Sequence, residues 1–276
     1  MDLSSGTIRV LEGVPGGPMR CGEASAAPGL LAGGRVIDPT AVGQALRQLI
    51  ARSEITPTRA LVAASDAIAS YRVLTFPKNT SDADIQAAIR SETNLGSDRM
   101  ARRQFEVFAG RDARTVFAAV WDRNQVQAIA TAVRRAGLEP VAIDLKSLCV
   151  ARALTVDSCV FLDMTTDPPE AVLVDERVPR LWHTFNVESS EDLALAIANG
   201  LKPLLASHRR SEAGGFGPNS PIMVRSDEAL PTTLMKRLKQ LTRRPVKAIE
   251  QPPRVDPEVR FGPYLTCLGL VMRRRG

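Results

Sequence analysis

Asp2-Leu-Ser-Ser-Gly-Thr-Ile-Arg-Val-Leu-Glu12 and Val160-Phe-Leu-Asp163-Met-Thr-Thr-Asp-Pro-Pro-Glu-Ala-Val-Leu-Val-Asp175 follow one pattern. Each carries an Asp, then small hydroxyl residues, then an apolar run that reads as a returning strand. A strand ending in Asp and a tight hydroxyl-rich turn make a loop whose backbone N–H groups can face an anion. The Asp can orient a metal-bound water beside it. One such loop is indistinguishable from a β-hairpin with a polar turn. Two of them, half a chain apart, point to duplicated halves facing one cleft.

The 276 residues are enough for two lobes with their own cores. An apolar content of 44% and a charged content of 24% are those of an ordinary globular protein. Aromatics are only 4%, so the cores must be built from Ala, Val, Leu and Ile. No apolar run approaches the ~20 residues that span a bilayer. The first residues lack the basic and apolar regions of a signal peptide. Cys21, Cys149, Cys159 and Cys267 show no CxxC spacing, which argues against zinc, and disulfides are not expected in a reducing cytosol. His183 and His208 have no ligand pattern around them. The net charge is +6, with basic clusters at Arg209-Arg210, Lys236-Arg237, Lys239, Arg243-Arg244 and Arg273–Arg275. No aromatic residues interleave with these clusters as single-strand binding favours, so nucleic acid is not expected. They read as a solvated basic face, or as a surface held near acidic lipid headgroups.

Along the chain, Thr7–Leu11 reads as a strand returned by Met19–Glu23, and 24–34 as a Gly-rich loop. Asp38 and Pro39 are an N-cap and a first helical residue, and Val42, Leu46, Leu49 and Ile50 give that helix one apolar face. Residues 58–137 read as strand–strand–helix–strand–strand–helix. Ser81 caps the first helix, over Asp82–Thr93. Asp122 caps the second, and Gly137 ends it. Pro140–Asp144 and Leu145–Ala153 read as a strand and a helix. Ser189-Ser-Glu-Asp192 opens a helix that Pro203 should kink or break. Ser211–Pro221 reads as a loop. Ile222–Val224 and Val246–Ile249 are strands around a basic helix over Pro231–Leu241. Tyr264–Met272 is a closing apolar helix.

Several runs carry a resemblance. They are the Asp2 and Asp163 loops, Gly34-Arg-Val-Ile-Asp-Pro-Thr-Ala-Val-Gly-Gln-Ala-Leu46 and Tyr71-Arg-Val-Leu-Thr-Phe-Pro77. Ala132-Val-Arg-Arg-Ala-Gly-Leu-Glu-Pro-Val-Ala-Ile-Asp144 and Thr266-Cys-Leu-Gly-Leu-Val-Met-Arg273 complete the set. In this order they resemble, over nearly the whole length, the PilM proteins of type IV pilus assembly. That family is a branch of the superfamily of actin, the cell-division protein FtsA and Hsp70. The resemblance implies an α/β, actin-like fold of ribonuclease H-like duplicated lobes. Residues 1–57 and 138–153 would form the first lobe and 154–250 the second. Residues 58–137 would be an inserted α+β subdomain, and 251–276 a helix returning to the first lobe. It also implies a cytoplasmic adaptor, peripheral to the inner membrane through its partner. That partner is the N-terminal tail of a PilN-like membrane protein, and self-association is a further expectation. Phe76, Pro77, Ile85, Ile89 and Glu92 are the expected wall of the tail groove.

The sequence departs from the family where a nucleotide would sit. Ser4 and Thr165 stand where the family has glycines, and a Cβ there hinders close backbone approach to phosphate. Arg225-Ser-Asp-Glu228 replaces the glycine pair of the adenosine motif, and the stretch 185–221 is short for a second-lobe insertion. The expectation is therefore no cofactor and weak or lost nucleotide binding. The alternative is an active ATPase using Mg-ATP. Asp2 and Asp163 would then hold the metal through waters, and Ser4, Ser5, Gly6, Thr165 and Thr166 would donate to phosphates. Asp144 would orient the attacking water, unless it is simply a helix N-cap. A small-metabolite kinase on the same fold is a third reading, for which no sugar pocket is marked.

Overall fold

The computed structural model describes residues 1–92, 100–109, 113–187, 192–209, 215–227 and 232–273. The expectations placed on Thr93, on Ser189–Glu191, on the first part of the Ser211–Pro221 loop, on Glu228 and on Arg274-Arg275 lie outside the described residues.

Strand β1 (Thr7–Glu12), rich in β-branched and apolar residues, pairs antiparallel with the more polar β2 (Arg20–Ser25). A short hairpin, β3 (Leu31–Ala32) and β4 (Arg35–Val36), stands where the sequence reads as loop. It leads into α1 (Pro39–Arg52), where the Asp38 carboxylate accepts from Thr40 N and Ala41 N, as the cap reading requires. Strand β5 (Arg59–Ala64) pairs parallel with β9 (Glu139–Leu145). Between them the chain leaves for β6 (Ala69–Pro77), α2 (Asp82–Glu92), β7 (Met100–Ala109) and β8 (Ala113–Asp122). Those three strands form a separate antiparallel sheet in the order β6-β8-β7. It has its own small core, in which Ile85 and Ile89 meet Val116 and Ala118. Helix α3 (Arg123–Arg135) follows, capped by Asp122 and ended by Gly137 at a φ of +89°.

Helix α4 (Lys146–Ala153) leads to the second lobe. Its sheet has the order β12-β11-β10-β13-β14, from β10 (Cys159–Asp163), β11 (Glu170–Asp175), β12 (Val178–Thr184), β13 (Ile222–Arg225) and β14 (Val246–Ala248). Helices α5 (Leu193–Arg209) and α6 (Thr232–Thr242) pack on it, and α7 (Phe261–Val271) returns to pack on α4, β1 and β5. Pro203 does not break α5. The helix buries Ile197 and Leu201 before the proline and Leu204 after it. Packing on both sides offsets the one lost backbone bond, so the helix continues past the proline.

The two halves repeat one topology. Residues Met1–Leu3 bridge β1 and β5, with Asp2 opposite Arg9 on one side and Ala63 on the other. The first-lobe order is thus β2-β1-(Met1–Leu3)-β5-β9, matching β12-β11-β10-β13-β14. In both, an antiparallel hairpin is followed by parallel strands, and Asp2 takes the place of Asp163.

Candidate functional site

The two loops that open the lobes are built alike. Asp2 Oδ1 accepts from Ser4 N at 2.9 Å and Ser4 Oγ at 2.6 Å. Asp163 Oδ1 accepts from Thr165 N at 3.0 Å and Thr165 Oγ1 at 2.7 Å. Each Asp therefore fastens its own turn, and the hydroxyl groups point back into the loop. Thr166 Oγ1 lies 3.4 Å from Asp163 O, and Ser5 Oγ lies 3.3 Å from Thr7 O, within the same turns. The Gly6 carbonyl accepts from Ala26 N at 2.8 Å, which ties the first loop to the residue after β2.

The remaining oxygen of Asp163 faces two cations. Oδ2 lies 2.7 Å from Lys146 Nζ and 3.2 Å from Arg225 Nη1. Backbone geometry brings these groups together. Glu170 is the cross-strand partner of Asp163 on β11, and Arg225 its neighbour on parallel β13. Lys146 is the first residue of α4, which starts directly at the end of β9. Its ammonium also meets Glu170 Oε2 at 2.7 Å. Arg225 reaches further, donating to Pro263 O at 2.6 Å and to Thr266 Oγ1 at 3.3 Å on α7. Lys146, Asp163 and Arg225 are all buried. Burial disfavours the Asp163 charge, but Arg225 and Lys146 outweigh it and hold the carboxyl well below its ordinary range. Burial also works against the Lys146 charge, and Asp163 and Glu170 hold that ammonium protonated.

Asp66 adds a third acid to the cluster. It lies in a one-turn helix after β5 and accepts from Ser147 Oγ at 2.5 Å and Ser147 N at 3.0 Å, so it caps α4 from outside. Burial, reinforced by Glu170, pushes its carboxyl up to about 7 against the pull of its Ser147 hydrogen bonds.

Asp144 does not cap α4, whose N-cap is Leu145 with no side-chain bond. The carboxylate is sealed in and paired with Arg152 at 2.7 Å and Arg273 at 3.8 Å. The cap reading fails because Asp66 already takes the first free N–H of that helix.

At Asp163 the place of a metal-bound nucleotide is already taken by groups of this chain. Asp163 already has two donors on one oxygen and two cations on the other, and the turn hydroxyls are consumed internally. Among the described residues no group of three His, Cys, Asp or Glu is placed to hold a metal. A cavity of about 530 Å³ does remain at the C-terminal ends of β13 and β14, lined by Asp227, Thr232, Met235, Ile249, Arg260 and Phe261 among others. Arg9 reaches across from the first lobe to one of its walls, with Nη2 2.9 Å from Asp227.

Three of the five expected groove residues, Phe76, Ile85 and Ile89, meet in one small core. Ile85 and Ile89 are interior residues of the inserted sheet's core rather than an exposed wall, because their helix turns that face onto β8. Phe76 packs half-buried against the same cluster, Pro77 is exposed, and the Glu92 side chain lies outside the described residues. The sequence reading missed Lys146, Glu170 and Asp66. The available signal was a lysine inside the apolar run Val141–Ala153.

No family model matches the chain, and no curated protein matches it in sequence. Among solved structures, the chain is similar to that of a PilM-PilN type IV pilus biogenesis complex. The TM-score is 0.71 at 18% identity, over 98% of this chain and 96% of that one. It is also similar to the ethanolamine utilization protein EutJ from Carboxydothermus hydrogenoformans. That TM-score is 0.55 at 16% identity, over 98% of this chain and 87% of the other. With one strand topology repeated in its two lobes, the chain has the actin-like fold.

Proposed function

We propose that this chain is a scaffold of a type IV pilus or related secretion machine, and that its own side chains take the place of the nucleotide in its cleft. The observation that supports this is the saturation of Asp163 by Lys146, Arg225 and Thr165. A fixed ammonium and guanidinium supply the positive charge that a metal would bring, without dissociating. A scaffold that carries its own fixed cations at Asp163 has no chemical cycle there. Its work is then binding, and the occupant we propose is the N-terminal tail of a PilN-like membrane protein. The exposed edge around Phe76 and Pro77 is the proposed contact. Such a protein would sit in the cytoplasm, at the membrane through its partner. No helix among the described residues is long and apolar enough to cross a membrane.

A second reading, an ATP-binding relative, is favoured by the open cavity beside Asp227 and Arg260. Calorimetric titration of the full chain with Mg-ATP decides between them. The scaffold reading expects no heat of binding, and saturable micromolar binding overturns it. Titration with a synthetic N-terminal peptide of the neighbouring membrane protein tests the adaptor role, and absence of binding at high micromolar peptide sinks it.

A further inference from the structure

Helices α5 and α6 cover the same face of the second-lobe sheet. Ala194, Ile197 and Leu201 of α5 and Leu238 of α6 share one core with Val160, Leu162, Ile222 and Val224. That core fixes which sides of the two helices look outward. On α6, Lys236, Lys239 and Gln240 are exposed, and Arg243 continues the same stripe just past the helix end. On α5, Leu195, Ala198, Lys202, Leu205 and Ala206 recur at spacings of three and four and so share one side.

A furrow of about 200 Å³ runs between the helices, lined by Ala198, Lys202, Leu205, Ala206, Leu241 and Thr242. Leu241, and Leu195 one turn before Ala198, are both exposed. Around this apolar furrow the charge has one sign. Neither α5 nor the run 232–248 contains an Asp or a Glu. Asp192, just before α5, is taken by Arg237 at 2.7 Å. Lys202 Nζ bonds Asn199 Oδ1, a neutral group, at 2.9 Å. Among the described residues no carboxylate is paired with Lys236, Lys239, Arg243 or Lys247.

Uncompensated positive charge beside an apolar furrow is complementary to a ligand that is both anionic and apolar. A second copy of this chain is a poor match, since it brings a net charge of +6. A bilayer surface is flat and leaves a furrow between helices unfilled, whereas the side-chain ridge of a third helix fits into it. The stripe from Leu195 to Ala206 is ~16 Å long, about three turns of a docked helix.

We propose that the α5–α6 furrow is a docking site for an acidic amphipathic helix of a partner protein. Its apolar side chains sit over Leu195, Leu205 and Leu241, and its carboxylates reach Lys202, Lys236 and Arg243. None of these residues belongs to the Asp163 cluster or to the Phe76 edge, so the site stands or falls independently of the scaffold reading.

The probes are two fluorescently labelled helical peptides rich in Leu and Glu, with leucines at i, i+3, i+7 in one and at i, i+4, i+7 in the other. Fluorescence anisotropy on titration with the full chain reads binding. The expected result is saturable binding of at least one peptide that weakens as salt rises. Joint charge reversal, Lys202→Glu with Lys236→Glu, should weaken it by about tenfold or more, and Leu241→Ser by about threefold or more. All three positions are exposed, and circular dichroism checks that each variant is folded. Binding of neither peptide overturns the proposal. Equal binding of a peptide of the same composition with its leucines scattered around the helix overturns it too, because charge alone would then suffice. Phosphatidylglycerol vesicles are the opposing probe. Sedimentation of the chain with them that the charge reversal abolishes, with no peptide binding, makes a lipid surface the occupant and overturns the helix.

Discussion

Lys146 Nζ and Asp163 Oδ2 lie 2.7 Å apart with both side chains sealed from solvent, the lysine on the helix that joins the lobes and the carboxylate on the central strand of the second. A buried pair of this kind is not strong evidence of stability in itself, because two ions had to be desolvated to make it. What it fixes is geometry. Lys146 also binds Glu170, and Arg225 carries the connection on to α7, so one cluster ties three elements of the cleft together.

Lys146→Met keeps the length of the side chain and removes its charge. Asp163 then keeps Arg225, while Glu170 loses the Lys146 ammonium. The expected loss is ~3–5 kcal/mol, the usual cost of removing one partner from a buried pair. Urea unfolding measures it. Glu170→Gln should cost far less, since Lys146 keeps Asp163. Equal losses for the two variants contradict the ranking.

Asp66 makes stability depend on pH. Its ordinary carboxyl value is 3.8, and burial raises it to about 7 in the folded chain. Between those values the folded protein holds a proton that the unfolded chain has released. Its contribution therefore favours folding at the acid end and falls as pH rises from about 4 to about 7, by at most ~1.4 kcal/mol per unit. Asp163 is shifted the other way, and its contribution is lost only as pH falls below its unfolded value. Urea midpoints at pH 5, 6 and 7 should decline for the native chain and flatten in Asp66→Asn. An unchanged slope in the variant removes Asp66 as the cause.

How much of this was legible in the sequence follows from the range of the interactions. The Asp2 and Asp163 loops, the Asp38 and Asp122 caps and the Gly137 stop are local, set within a few residues, and each reads directly from its neighbours. The duplicated lobes follow from the repeat of the Asp loops. The Asp163 cluster does not read this way. Its members come from positions 66, 146, 163, 170 and 225, joined by cross-strand register and by the start of α4. Asp144 was misread for the same reason: it looks like a cap because it precedes a helix, but the cap arrives from Asp66, far off in sequence. Pro203 does not break α5 because propensity is local, whereas the packing of Ile197, Leu201 and Leu204 is not.

Gly269 is where α7 lies closest to α4. A Cβ placed there would collide with the carbonyl oxygen and Cα of Cys149, which are backbone atoms and cannot step aside. Gly269→Ala gains helix propensity of ~1 kcal/mol but must push the two helices apart, at a cost of ~1–3 kcal/mol or more. The expected outcome is a net drop in stability, read by thermal unfolding. Gly217→Ala, where nothing lies within 4 Å of the new carbon, is the control and should be near neutral.

Arg9 and Asp227 test the coupling of the two lobes. Arg9 sits on β1 and is 1% exposed, and its guanidinium reaches Glu23 at 3.2 Å and Asp227 at 2.9 Å. Asp227 follows β13 in the second lobe, and its side chain is 42% exposed. Asp227→Ala leaves the arginine with Glu23 alone. Half-exposure of the lost carboxylate screens the pair, so the cost should fall well below that of Lys146→Met, at ~1–2 kcal/mol. The change should also loosen the lobes relative to each other, because the lost ion pair joins β1 of the first lobe to the segment that follows β13 in the second. Faster amide exchange at Arg9 and at the start of α7, with β8 unchanged, is the expected signature. Uniform acceleration across all three sheets means that Asp227 contributes to global stability and does not link the lobes.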